Sequence, residues 1–419
     1  MALIHTQLYR IASLSRRNVN HFGVEQVWSE ECIGVASKVR ERYAHPFPVP
    51  SAEVLFLEVA AVAEFEEKRQ DTLLSRGIHV RRGRVEDEFA TFEVMRRTMG
   101  YEMVWTQHIA MRHHLRLSGG ASFWVAEETP RFGAARVVGY ARSVVREGVW
   151  SLTEFFVLPG HHRQGIGGVL LLRCLEDGAT EGADTRLVLA SHHPAADALY
   201  IRKAKCIPRI PMLLLAGSIG RLRADENASL NIFEKASRPD DEAGPLSLKE
   251  TGSGLFAEPL LPESAIQNAI LDLDRRIVGY GRPQEHLHWA SQMGGLEGAS
   301  RIFRRAVATP YGWAPSPEIA GYAYIGAESS GPVLAVDPAD QPRMIAYVAE
   351  LARKAAQTPG ETWPWQPVEQ YWAVPGTNEV VLKWLLDRGW QIVFQYLFMC
   401  TRPMGEFDRY VCCNPLYVL

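Results

Sequence analysis

A chain of 419 residues with 47% hydrophobic and 22% charged side chains has apolar material for two or three domains with full cores. Its formal net charge of −3 argues against a nucleic-acid binder that relies on a broad basic surface, and no apolar run reaches the roughly 18 residues of a membrane span. The first twenty residues show no continuous apolar core with a small-residue cleavage site, and none of the six cysteines stands in a CxxC spacing, so the expectation is a reduced, cytoplasmic chain with no membrane and no nucleic-acid partner.

In chain order, residues 1–77 read as a partly helical extension that Gly77 stops. From there the pattern alternates. "IHVRRGR" (78–84) reads as a strand, and "VEDEFATFEVMRRTM" (85–99) as an amphipathic helix with acids in its first turn and arginines near its end, matching the helix dipole. "SFWVAEE", "VVGYARSVV" and "VWSLTEFFVL" are three successive β-rich runs, most simply a meander. A glycine turn, a helix over about 166–178, a strand "TRLVLAS" (185–191), a helix "PAADALYIRKA" (194–204) and a strand "IPMLLLAGS" complete this part, 78–216. Residues 236–254 are rich in Pro, Gly, Ser and acid, and 217–254 reads as a linker. The same order of elements then recurs over 255–403, ahead of an apolar tail, 404–419. The expected fold class is α/β (α+β), built as two copies of one fold.

"FFVLPGHHRQGIGG" (155–168) carries the chemistry. It is a strand, a tight polar turn, then Gly165, Gly167 and Gly168 opening a helix. Glycine costs a helix about 1 kcal/mol relative to alanine, so bare backbone must be needed here. Unpaired N–H groups at a helix start, with the helix dipole behind them, form an anion cradle. The P-loop lysine is missing. The third glycine of a dinucleotide fingerprint is replaced by Leu170, and three predicted antiparallel strands precede the turn where that fingerprint wants its strand first. The pyrophosphate of coenzyme A remains.

At this point "VLPGHHRQGIGGVLLLRCLEDG" resembles motif A of the GNAT superfamily of acyl-CoA N-acyltransferases, [RQ]-x-x-G-x-[GA], in the register His162-Arg163-Gln164-Gly165-Ile166-Gly167, with His162 at the Arg/Gln position. A second family pattern, N-x-x-A-x-x-[LF]-Y-x-x-x-G-F, is matched by His193 in place of Asn, by Ala196, by Leu199-Tyr200, and by Ala204-Lys205 in place of Gly-Phe. The resemblance implies two GNAT-like domains, each a mixed, mainly antiparallel twisted sheet flanked by helices. It implies acetyl-CoA as cosubstrate, held by His162, Arg163, Gln164, Gly165, Ile166, Gly167, Gly168 and His193, with a backbone amide near Phe156, Val157 and Leu158 on the thioester oxygen. It also implies direct transfer to a primary amine of a small molecule, with Tyr200 as the acid that protonates the departing thiolate.

Glu154, among apolar neighbours on the strand before the turn, is the first choice of base, because partial burial would suit it to proton acceptance. His192, His193 and the C-terminal carboxylate of Leu419 are rivals. The second copy keeps Asn378 and Gly389-Trp390 but has Leu385 in place of the tyrosine, and its loop 337–343 has no glycine and two prolines. That copy is expected to keep the fold and to have lost the coenzyme. Three His-His pairs (His113-His114, His161-His162 and His192-His193) are completed by no Cys or carboxylate spacing, so no metal is expected. Residues 271–292, with Arg275, Arg276, Arg282, His286 and Trp289, read as a solvated helix-turn-helix face. A homodimer stays open, and so does the rival class, a non-catalytic acyl-CoA sensor or interaction module.

Overall fold

The computed structural model describes residues 70–100, 121–191, 193–222, 232–234, 254–261, 268–292, 300–310, 312–325, 330–355 and 370–412. Most of the extension, His113-His114, His192, most of the linker and Leu419 lie outside these. The chain divides into two compact units, residues 1–109 with 119–186, and 110–118 with 187–419.

In the first unit, helical residues 70–75 lead through Gly77, at φ +74°, into β1 (Ile78–Arg82). A 3-10 turn precedes α1 (Glu88–Met99), which Gly100 ends in the left-handed conformation, its amide bonded to the Arg96 carbonyl. β2 (Ser122–Glu128), β3 (Arg136–Arg146) and β4 (Val149–Val157) follow as an antiparallel meander in the order β1-β2-β3-β4. α2 (Ile166–Thr180) buries Leu170, Leu171 and Cys174. It sits close on β4 because Gly178 has no side chain: a Cβ there would stand 2.2 Å from Cδ1 of Trp150, whose indole N–H donates to the Cys174 carbonyl. Asp177 ties the same helix to the sheet by accepting from Ser122 Oγ, Trp124 Nε1 and Arg82. On the opposite face α1 places Phe92 and Met95 against Val125 and Tyr140.

β5 (Thr185–Ala190) spans the boundary between the units. In the second unit come α3 (Pro194–Leu199), one π-helical turn over Tyr200–Ala204 and β6 (Ile207–Gly217), then β7 (Ile232–Glu234) and β8 (Leu255–Pro259). The repeated order follows: α4 (Asn268–Ile277), α5 (Pro283–Gln292), β9 (Arg301–Thr309), β10 (Gly312–Ile325), β11 (Ser330–Ala335), α6 (Gln341–Ala355), β12 (Gln370–Pro375), α7 (Glu379–Asp387), β13 (Gln391–Cys400) and β14 (Tyr410–Val411). One sheet runs β14-β11-β10-β9-β8-β7. Around Trp372 and Trp390, α6 and α7 bury Met344, Val348, Val381 and Leu385.

The two copies are not successive closed domains. β13 pairs with β5 through Leu397–Cys400 on one side and with β6 on the other, and β6 pairs in turn with β12. The strand that ends the second copy therefore stands between two strands of the first, and the compact division falls at Arg186/Leu187 rather than in the expected linker. The residues 271–292 also depart from the expectation. Arg275 and Arg276 are exposed, but Arg282, His286 and Trp289 are fully buried. Arg282 and His286 converge on buried Asp274. The residue types suggested solvent, yet Arg282 finds in Asp274, Tyr322 and Tyr410 the partners that allow burial. No helix among the described residues is long and apolar enough to cross a membrane.

Candidate functional site

The glycine turn is built as a backbone cradle. Pro159–His161 form one 3-10 turn after β4, and Arg163 and Gly165 then take positive φ, at 63° and 90°. The first helical bond of α2 runs from the Val169 amide to the Gly165 carbonyl. The amides of Ile166, Gly167 and Gly168 thus precede any acceptor of their own helix. Among the described residues, and apart from the adjoining chain, no atom lies within 4 Å of where a Cβ would stand on Gly160 or Gly165. Packing does not account for Gly160 or Gly165. Gly165 is needed for its left-handed backbone, and a turn that ends in three helix-start amides fits a pyrophosphate. The side chains at the turn mostly brace it. A ring nitrogen of His162 lies 2.8 Å from the Val157 carbonyl, the Gln164 amide donates to the Gly160 carbonyl, and His161 meets Glu128. Arg163 is exposed.

Of the three strand residues expected near the thioester, one stands out. The Leu158 amide donates to the Val138 carbonyl, so it is spent on β3. Antiparallel bonding alternates along a strand, which turns Phe156 toward β3 as well and Val157 toward the other edge. The Val157 carbonyl, which lies on that other edge, is the one His162 reaches.

Glu154 is placed by a β-bulge. Ser143 pairs with Leu152 but Arg142 pairs with Glu154, so Thr153 is an extra residue in β4. Without it, Glu154 would follow Trp150 and Leu152 onto the α2 face. With it, Glu154 stands on the α1 face beside Arg142. There it accepts from the Tyr140 hydroxyl at 3.0 Å, and Arg142 Nε lies 2.9 Å from its second oxygen. Arg142 Nη2 is 2.7 Å from Glu88, the first residue of α1, and the guanidinium lies over the Phe123 ring. Glu154 is 2% exposed, a deeper burial than the partial one expected. Tyr140, Arg142 and Glu88 were not singled out in the sequence. The i, i+2 spacing of Tyr140 and Arg142 marks one strand face, but only the bulge puts Glu154 on it.

In the second unit, His193 is the N-cap residue of α3 with no side-chain cap bond, its carbonyl accepting from the amides of Ala196 and Asp197. Tyr200 opens the π turn and is buried. Burial pushes its phenol above the usual tyrosine range, with Asp197 and Cys206 adding to the effect. The π turn also corrects a register. The left-handed residue that ends it is Lys205, not Ala204, whereas in the second copy Gly389 holds that position, at φ +74°. Lys205 lies twelve residues after His193, and Gly389 eleven after Asn378. The wider turn absorbs the extra residue, so Lys205-Cys206 stand where Gly389-Trp390 stand.

The corresponding loop of the second copy is filled by its own anions. Asp337 accepts from the Ala339 amide, and buried Asp340 pairs with Arg305 at 2.6 Å and with Arg343. Asn378 caps α7 by accepting from the Val381 amide, while its own amide donates to Gln341 and to the Tyr410 carbonyl. Among the described residues, no group of three or more His, Cys, Asp or Glu side chains is placed to hold a metal ion.

Comparison with known proteins finds a family likeness for part of the chain. Residues 88–204 match the model of the acetyltransferase (GNAT) family. A proposed acetyltransferase from Pyrococcus horikoshii is similar in structure, with a TM-score of 0.52 and 15% identity over 80% of this chain and 93% of that one. A GCN5-related N-acetyltransferase from Sphaerobacter thermophilus gives 0.50 and 13% identity over 78% and 96%. At these identities the likeness is one of fold. No protein of curated function matches the chain.

Proposed function

We propose that this chain, whose residues 88–204 form a GNAT-family acetyltransferase domain, transfers the acetyl group of acetyl-CoA directly to a primary amine of a small molecule. The carrying observation is the turn before α2: three helix-start amides, Gly165 at φ +90°, and open space where its side chain would be. Acetyl-CoA supplies the thioester. The amides of Ile166, Gly167 and Gly168 would hold its pyrophosphate, with Arg163 adding charge from the rim, and the Val157 amide would donate to the thioester oxygen as negative charge develops there.

An ammonium is no nucleophile, so the incoming amine must lose a proton. Glu154 is the acceptor we assign, because the bulge delivers a buried carboxylate to the α1 face of the strand that carries Val157. As the nitrogen bonds to the carbonyl carbon and the carbon–sulfur bond breaks, Tyr200 is assigned to return a proton to sulfur. A phenol held protonated by burial suits an acid. The second copy serves the fold and not the coenzyme, since Asp337 and Asp340 occupy its loop.

Calorimetric titration with acetyl-CoA tests this. One equivalent per chain is expected, and no measurable binding for a folded Gly165→Val/Gly167→Val variant. Two equivalents, or unchanged affinity in the variant, would overturn the assignment.

A further inference from the structure

Glu88, Arg142 and Glu154 form a trio of two buried carboxylates and one largely buried guanidinium, its side chain 12% exposed. Arg142 Nη2 lies 2.7 Å from Glu88 and Nε lies 2.9 Å from Glu154. Glu88 is 6% exposed and Glu154 2%. Tyr140, from β3, adds a hydroxyl to Glu154, and Phe123 covers the guanidinium. On this face Tyr140 and Arg142 from β3 meet Glu154, with Glu88 from α1 behind the arginine. α2 packs on the opposite face, against Trp150.

With all three groups ionised the trio carries one negative charge. Consider what a proton on Glu154 does. If Arg142 had Glu154 as its sole partner, protonation would leave a largely buried guanidinium without a counter-ion, which is costly away from bulk water. With Glu88 present, protonation leaves a neutral Arg142–Glu88 pair and a neutral acid that Tyr140 still contacts. We infer that Glu88 is a positioning residue that lets Glu154 take up a proton without stranding the largely buried Arg142. The inference rests on Glu154 as the base for the reaction, but it makes a claim about titration that stands apart from turnover.

The experiment is a carbon-13 NMR titration of the whole chain labelled at glutamate Cδ, with the Glu154 signal identified by its loss in Glu154→Gln. In Glu88→Gln the Glu154 midpoint is expected to fall by about one pH unit or more, because the guanidinium then serves one carboxylate alone. An unchanged or raised midpoint would overturn the inference. If E88Q does not fold, Glu88→Asp is titrated, which keeps the charge but draws it back by one methylene. A smaller fall is expected there, and none would count against Glu88. The assignment of the base is judged separately. An E154Q variant with wild-type acetyl transfer removes Glu154 from the chemistry while leaving the titration result intact.

Discussion

Asp274→Asn tests whether the second unit is held by its buried charges. Asp274 is fully buried and accepts from Arg282 Nε at 2.8 Å and Nη2 at 3.1 Å, from the Tyr322 hydroxyl at 2.5 Å, and meets His286 Nε2 at 2.8 Å. Burial alone would push its carboxyl up, but Arg282 and His286 outweigh that and hold it well below the usual carboxylate range. The amide variant keeps shape and most hydrogen bonds and removes only the charge. What remains is Arg282, fully buried, with two tyrosine hydroxyls and no anion. Breaking a buried pair in this way costs about 3–5 kcal/mol, a large share of the roughly 5–15 kcal/mol that holds a domain folded. Amide hydrogen exchange over α4 and β10 reads the opening free energy locally, so the first unit does not blur it. The pH dependence has a definite sign. Because the folded value is depressed, the contribution of Asp274 is complete above its unfolded pKa of about 3.9 and is lost as pH falls through the lower folded value. Wild type should therefore show an acid-side loss of protection that D274N lacks. A drop smaller than about 1 kcal/mol, the size of one neutral hydrogen bond, would refute the reasoning.

Gly178→Ala places a methyl 2.2 Å from Cδ1 of Trp150, a ring pinned through its N–H to Cys174. It should cost about 1–3 kcal/mol in urea unfolding, and an unmoved midpoint would mean that the ring yields freely. Tyr200→Phe should leave acetyl-CoA affinity unchanged by calorimetry and slow transfer to an accepted amine by about 10²-fold. Wild-type turnover in that variant would return the residue to a packing role.

Much of this was legible in the chain, and the reasons are local. The strands over 122–128, 136–146 and 149–157 declare themselves by β-branched and aromatic runs, and the glycine turn by a cost that nothing but bare backbone explains. Three features depend on information that single segments do not hold. The bulge at Thr153 flips Glu154 between faces, yet no residue type in "SLTEFFVL" announces it, because the register is set by pairing with β3. The π turn after Tyr200 shifts the left-handed position by one, to a lysine that no glycine rule would choose. The burial of Arg282 depends on Tyr322 and Tyr410, and that of His286 on Tyr324, all distant in sequence. Each of these was decided by a partner from another element.

The position of β13 bears on how the chain is made. β5 and β6 are complete by Gly217, but the strand that stands between them ends only at Cys400. At translation rates of about 5–20 residues per second, the roughly 180 residues between them take about 10–35 s to emerge. For that time each strand lacks the neighbour it will have on that side, and β6 also waits for β12. Apolar β6, with Met212, Leu213, Leu214 and Leu215 in succession, is then an open edge of the sort that pairs with other chains. A nascent chain cut off near residue 217 would carry the glycine turn and yet leave β6 with neither β12 nor β13.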